Sequence, residues 1–314
     1  MKKVIGLLTA ALMTVTFASA HVSNEYTIYD DTQQSDIKED LTKLRTIGAI
    51  PFTEGASVYG PQDVLDKKEL GYWAAQFLIK SDKELSEADY LQQAIDLKLI
   101  DEKDGPATYQ DVIKAYFDKD TLTDDDVKKA INGKEKEEIT KEEVAKLLGK
   151  LIDRKSNDGL FMKSGLQEGP SGVIKKVTSK KVTEGDTSYE TYAFTIDGQK
   201  YPVAAHVKVL HGPTDLSLWK GKEISLSWIG TESAHEHESD QTTDSKDTTK
   251  EEESTVALEF IQAKDGAFKK SEYAPTKLKV DKVVEEKKDF PWVLVVGIVI
   301  AVGLVVIIIR SRKR

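Results

Sequence analysis

The residues best suited to ligate a metal are His235 and His237, which alternate with Glu236 and Glu238 in one tetrapeptide. Two imidazoles beside carboxylates can hold a divalent ion. The spacing is not the helical His-Glu-x-x-His of a hydrolytic zinc centre. His21 is a second candidate. Cleavage after Ala20 would make it the N-terminal residue, where an α-amino group and its own imidazole form a bidentate copper chelate. The remaining chemistry is excluded piece by piece. There is no cysteine, so thiolate metal sites, disulfides and a cysteine nucleophile are absent together. His206 and His211 have no Gly-x-Ser-x-Gly elbow to serve. No phosphate-binding or dinucleotide loop occurs. Asp118, Asp120 and Asp124–Asp126 lack the spacing and central glycine of a calcium loop, and the cluster at 124–126 reads as helix-start acids favoured by the macrodipole. These observations predict a non-catalytic protein with no cofactor. A metal-binding role through His21 or His235/His237 is the alternative.

The elements that position side chains separate by periodicity. Residues 35–153 carry a repeated helix-start signal: Asp66-Lys-Lys-Glu69, Thr108-Tyr-Gln-Asp111 and Thr140-Lys-Glu-Glu143. Each places a capping side chain three residues before an acid, so that each can satisfy an orphan amide. Leu65 with Leu70, Ala107 with Val112 and Ile139 with Val144 occupy hydrophobic-staple positions around them. Ser86/Asp89 and Thr123/Asp126 repeat the signal between the three. A further helix starts near Ser35, with Ile37, Leu41, Leu44 and Ile47 on one face. The prediction is six helices in three pairs.

This pattern resembles the S-layer homology domain of bacterial envelope proteins. The segments that carry the likeness are Leu41–Ile50, Phe52–Pro61 and Val64–Leu70, together with the three boxes. The resemblance covers a little over a third of the chain. It implies a three-fold helical-hairpin bundle whose grooves bind secondary cell-wall polysaccharide through the basic residue of each box. Lys67 and Lys141 hold that position here, Tyr109 takes it in the other box, and Trp73 lies close by on the first box helix. Those four are the expected glycopolymer-binding residues.

After a linker at 154–169, residues 170–263 alternate with period two. Asp197-Gly198 lies between two such runs, a strong hairpin signal. Five strands predict a small OB- or SH3-like β-barrel, with Trp219, Trp228 and Tyr201 in its core. The stretch 231–254 is polar and acidic without a large apolar side chain, and reads as a disordered insert. The expected fold class is therefore α+β and multidomain: the helical bundle, then the barrel, a stalk at 264–290 and one transmembrane helix.

The two ends set the expected location. Residues 1–20 have Lys2 and Lys3, a short apolar run and Ala18-Ser-Ala20, the pattern of a signal peptide. Residues 21–34 form an N-terminal extension. Residues 291–309 form an apolar span long enough to cross a bilayer, followed by a basic tail at 310–314. This order predicts a single-pass type I protein with its ectodomain outside a Gram-positive cell membrane. The net charge of −9 gives no electrostatic case for nucleic acid. The expected partners are cell-wall polysaccharide or a peptidoglycan-linked polymer, the lipid bilayer, and an envelope protein on the barrel. The expected function is tethering or organising envelope components.

Overall fold

A computed structural model describes residues 22–51, 57–79, 81, 85–117, 125–152, 159–184, 187–231 and 256–275. The predicted transmembrane span 291–309, the stalk beyond Pro275, the signal segment, the acidic insert and the Thr123 cap lie outside these residues. Among the described residues no helix is long and apolar enough to cross a membrane.

The chain opens with strand β1 (Ser23–Asn24) and helix α1 (Lys38–Thr46). Five helices follow: α2 (Lys67–Leu78), α3 (Glu87–Asp96), α4 (Tyr109–Tyr116), α5 (Asp125–Ile131) and α6 (Lys141–Leu151). The start signals do what their chemistry predicts. Ser86, Thr108 and Thr140 each accept from the amide three residues on, and the acid at that position accepts in turn from the cap amide. Asp66 accepts from the Glu69 amide. Each cap is worth about 1 kcal/mol. The staple residues Leu65, Leu70, Ala107, Val112, Ile139 and Val144 are all fully buried.

A short helix α7 (Leu160–Ser164) leads into β2 (Gln167–Glu168), β3 (Gly172–Glu184), β4 (Thr187–Ile196), β5 (Gln199–Leu210), β6 (Glu223–Thr231) and β7 (Val256–Ala263). Asp197 and Gly198 both have positive φ, 49° and 83°, as the predicted two-residue hairpin turn requires.

The expected architecture, a three-fold helical bundle followed by a separate small OB/SH3-like barrel, is not what the chain forms. The molecule is a mixed α+β unit built on a seven-stranded sheet ordered β1-β5-β4-β3-β6-β2, with β7 against β5 and β6. The pairings return on themselves through β7. However, β1 from the N-terminal segment adds in parallel to β5, and β2 adds to β6, so the sheet is no self-contained five-strand barrel. The helices do not keep a core of their own either. Leu210, Trp228 and Phe260 from β5, β6 and β7 belong to the same buried cluster as the helical residues. Phe161 of α7 packs on Trp228 with ring centroids 5.1 Å apart, and Trp228 stacks on Phe260 at 4.3 Å. The physical reason is that these strands are apolar on both faces. Phe260 turns to the helices, while Leu258 and Ile261 fill a second cluster with Phe194 and Trp219 inside the sheet. A strand buried on both sides joins two layers into one unit.

Candidate functional site

Three backbone segments, each just ahead of a box helix, meet in a ring. The Leu65 amide donates to the Ile139 carbonyl (2.9 Å), the Ile139 amide to the Ala107 carbonyl (3.0 Å), and the Ala107 amide to the Leu65 carbonyl (2.8 Å). Two residues further on, the amides bond across the segments again: Lys67 to Gly105 (3.0 Å), Tyr109 to Glu137 (3.3 Å) and Lys141 to Asp63 (2.9 Å). The ring satisfies donors that would otherwise be buried without partners. It also fixes α2, α4 and α6 with their N-termini around one approximate three-fold centre.

The first residue of each box helix then meets acids from neighbouring segments. Lys141 Nζ lies 2.7 Å from Glu69, the acid of the first box, and 5.8 Å from the centre of the Trp73 ring. Tyr59 supports this corner: its hydroxyl donates to the Lys141 carbonyl (2.8 Å), and its ring stacks on Trp73 at 6.3 Å. Lys67 Nζ lies 2.6 Å from Glu102. The Lys67 pKa is raised first by that hydrogen bond, with Asp111, the acid of the second box, adding to it. At the remaining corner the Tyr109 ring carries Lys134 at 5.4 Å, and Lys134 reaches Glu143, the acid of the third box, at 3.3 Å. Burial opposes ionisation of Glu143, but bonds from Thr140, Tyr109 and Lys134 outweigh it and hold the carboxyl down at about 2.

Of the four expected polymer-binding residues, Lys141 and Trp73 are brought together, while Lys67 and Tyr109 occupy the other two corners. The two lysines keep part of their surface, 15% for Lys141 and 19% for Lys67. Trp73 and Tyr109 are each only 6% exposed, so their rings form walls rather than open stacking platforms. Trp219 and Trp228 are buried, and Tyr201 packs against the sheet core. His21, His235 and His237 lie outside the described residues. Among the described residues no group of three or more His, Cys, Asp or Glu side chains is arranged to hold a metal.

One cluster had no sequence signal. His211 follows β5 with φ 60°, its Nε2 3.2 Å from Glu39 of α1 and its Nδ1 3.7 Å from Asp265 after β7. Its amide donates to the buried Glu25 carboxylate. The bond to Glu39 comes first among the causes that raise the His211 pKa, whereas burial pushes Glu25 up. These residues line a cavity of about 200 Å³ with Tyr26 and Tyr273. His211 was visible as a residue beside a turn, but its carboxylates come from segments far away in sequence.

Comparison with protein-family models, with curated proteins and with solved structures finds no match to this chain.

Proposed function

We propose that this chain is a non-catalytic cell-surface protein that holds a cell-wall glycopolymer at the corners of its three-fold ring. The proposal places it, as a single-pass type I membrane protein, in a Gram-positive-type envelope, and takes the helical half as similar to S-layer homology domains. The observation that carries the reading is the corner formed by Lys141, Glu69 and Trp73. There a cation and a carboxylate 2.7 Å apart sit at a helix start beside an indole. The pair offers donors and acceptors side by side, which suits adjacent sugar hydroxyls. Because Glu69 already compensates the lysine, this corner favours polyhydroxylated chains over densely charged ones. The reading is supported further by the ring itself, which sets Lys67 with Glu102 at a second corner and Tyr109 with Lys134 and Glu143 at the third.

The test is co-sedimentation of the full chain with purified cell walls, before and after acid extraction of the secondary polymer, with Lys67→Ala/Lys141→Ala alongside. Binding that disappears on extraction and weakens in the variant is expected. Equal sedimentation with extracted walls, or with the variant, would overturn the proposal.

A further inference from the structure

Five lysines of the helical half are held in internal pairs: Lys67 with Glu102, Lys114 with Asp101, Lys134 with Glu143, Lys141 with Glu69 and Lys146 with Glu142. On the sheet, Lys264 pairs with Glu223, but among the described residues the lysines of the β3–β4–β5 face do not pair. The β3–β4 ladder runs from Lys176 opposite Thr195 out to Glu184 opposite Thr187. Yet β4 meets β5 only over Tyr192–Ile196, and β3 meets β6 only at Gly172 and Val173. The outer part of the hairpin is thus a two-stranded ribbon extending past the rest of the sheet.

A register shift re-aims the side chains at its base. Ile174 lies opposite Ile196, and both are buried. The ladder then skips Lys175 and resumes at Lys176. Such an irregularity lets Lys176 point outward although a strict alternation would have turned it inward with Ile174. From there, Val177 and Phe194 take the core side, and Lys176, Thr178, Lys180 and Val182 take the outer one. Thr195 lies opposite both Lys176 of β3 and Lys200 of β5, which brings Lys200 to the same face.

Three exposed lysines, 176, 180 and 200, therefore share one face. By strand geometry Lys176 and Lys180 are about 13 Å apart along the strand, and Lys176 and Lys200 about 10 Å apart across it. The outward positions between them are filled by Thr178, Thr191, Ala193 and Thr195, with no carboxylate. Glu190, with Lys181 opposite it, belongs to the other face and accepts from the Tyr192 hydroxyl. Among the described residues none of the three lysines has an ion-pair partner.

We propose that this face of β3, β4 and β5 is a docking surface for a linear polyol-phosphate polymer, a second contact beside the ring corners. It rests on the proposed function only for its setting at an envelope polymer. The spacing is too wide for one phosphate and suits successive charges of a chain lying across a flat face. Ammonium groups are point charges that pair with phosphodiester oxygens without a bidentate fork, and widely spaced point charges match the regularly spaced single charges of such a chain.

The test is fluorescence anisotropy of the full chain with a labelled synthetic oligo(glycerol phosphate), over a range of salt. The variants are Lys176→Gln/Lys180→Gln/Lys200→Gln, Lys176→Gln alone, and Lys67→Ala/Lys141→Ala. Removing three free charges is expected to weaken binding at least about tenfold at low salt and to flatten the salt dependence. The single variant should show a smaller loss in the same direction, and the ring variant should stay within about twofold of the wild type. No binding by the wild type, an unchanged triple variant, or equal competition by anionic lipid vesicles would overturn the proposal. Loss of oligomer binding in the triple variant with wall sedimentation unaffected by the ring variant would leave this face standing and the ring reading fallen. The reverse pattern would do the opposite.

Discussion

Lys141 Nζ and Glu69 stand 2.7 Å apart, joining the third capping box to the first although 72 positions (141 − 69) separate them in sequence. The pair is partly open to water, with 15% and 31% of the two side chains exposed. Its contribution to stability is accordingly small, and its position at the ring corner is what the proposed polymer binding rests on.

Lys141→Ala is therefore expected to cost no more than about 1 kcal/mol of unfolding free energy. The same change should reduce sedimentation with cell walls severalfold. Urea unfolding and wall binding of one preparation separate the two effects. A loss of several kcal/mol would show that the residue is structural.

The fold makes helices and sheet one cooperative unit. Trp228→Ala, which removes the indole between Phe161 and Phe260, is expected to cost about 3–5 kcal/mol. Helical far-ultraviolet signal and tryptophan fluorescence should lose structure in one coincident transition. Two separated transitions would mean that the helical and sheet layers fold independently.

Stability should depend on pH through two groups attached to α1. Burial pushes Asp40 from an ordinary 3.8 up to about 6, so its contribution is complete below about 3.8 and is lost as pH rises through about 6. The His211 pKa is raised above 6.5 by Glu39, so its contribution is present below 6.5 and is lost as pH rises through the folded value. Glu143 works in the opposite sense: held at about 2, it contributes above 4.5 and loses that contribution as pH falls through about 2. Asp40→Asn should flatten the profile between pH 4 and 6, and His211→Gln should flatten it above 6.5. Chemical denaturation across pH 4–8 reads both. A wild-type profile that rises through this range in parallel with the variants would contradict the assignment.

Gly149 of α6 faces Asp40 so closely that an added Cβ would lie 2.5 Å from the carboxyl carbon and 2.9 Å from the Asp40 Cβ. Alanine in a helix ordinarily gains about 1 kcal/mol over glycine. Here Gly149→Ala is expected to cost about 1–3 kcal/mol through overpacking. In an Asp40→Gly background, which removes that Cβ along with the carboxyl, the Gly149→Ala change should be neutral or stabilising, as a double-mutant cycle of melting temperatures would report.

The helix starts were legible because a capping box is local: Thr140 and Glu143 are three residues apart and decide their geometry between themselves. The Asp197-Gly198 turn was legible for the same reason. The ring joining Leu65, Ala107 and Ile139 was not, since nothing in one segment names its partners in the others. Nor was the joint core. Trp228 reads as barrel interior, and only the packing shows it turned, with Phe260, toward α7 and the helical layer. At the expected site, residue type was visible and pairing was not. Lys67 and Lys141 read as the basic residues of their boxes, and that Glu102 and Glu69 hold them comes only from the packing.

The most direct test of polymer binding at the ring is hydrogen exchange of the full chain with and without purified wall polymer. The account predicts slowed exchange over residues 59–73 and 135–146, with residues 87–99 of the α3 segment unchanged. Protection confined to other segments, or none at saturating polymer, would contradict it.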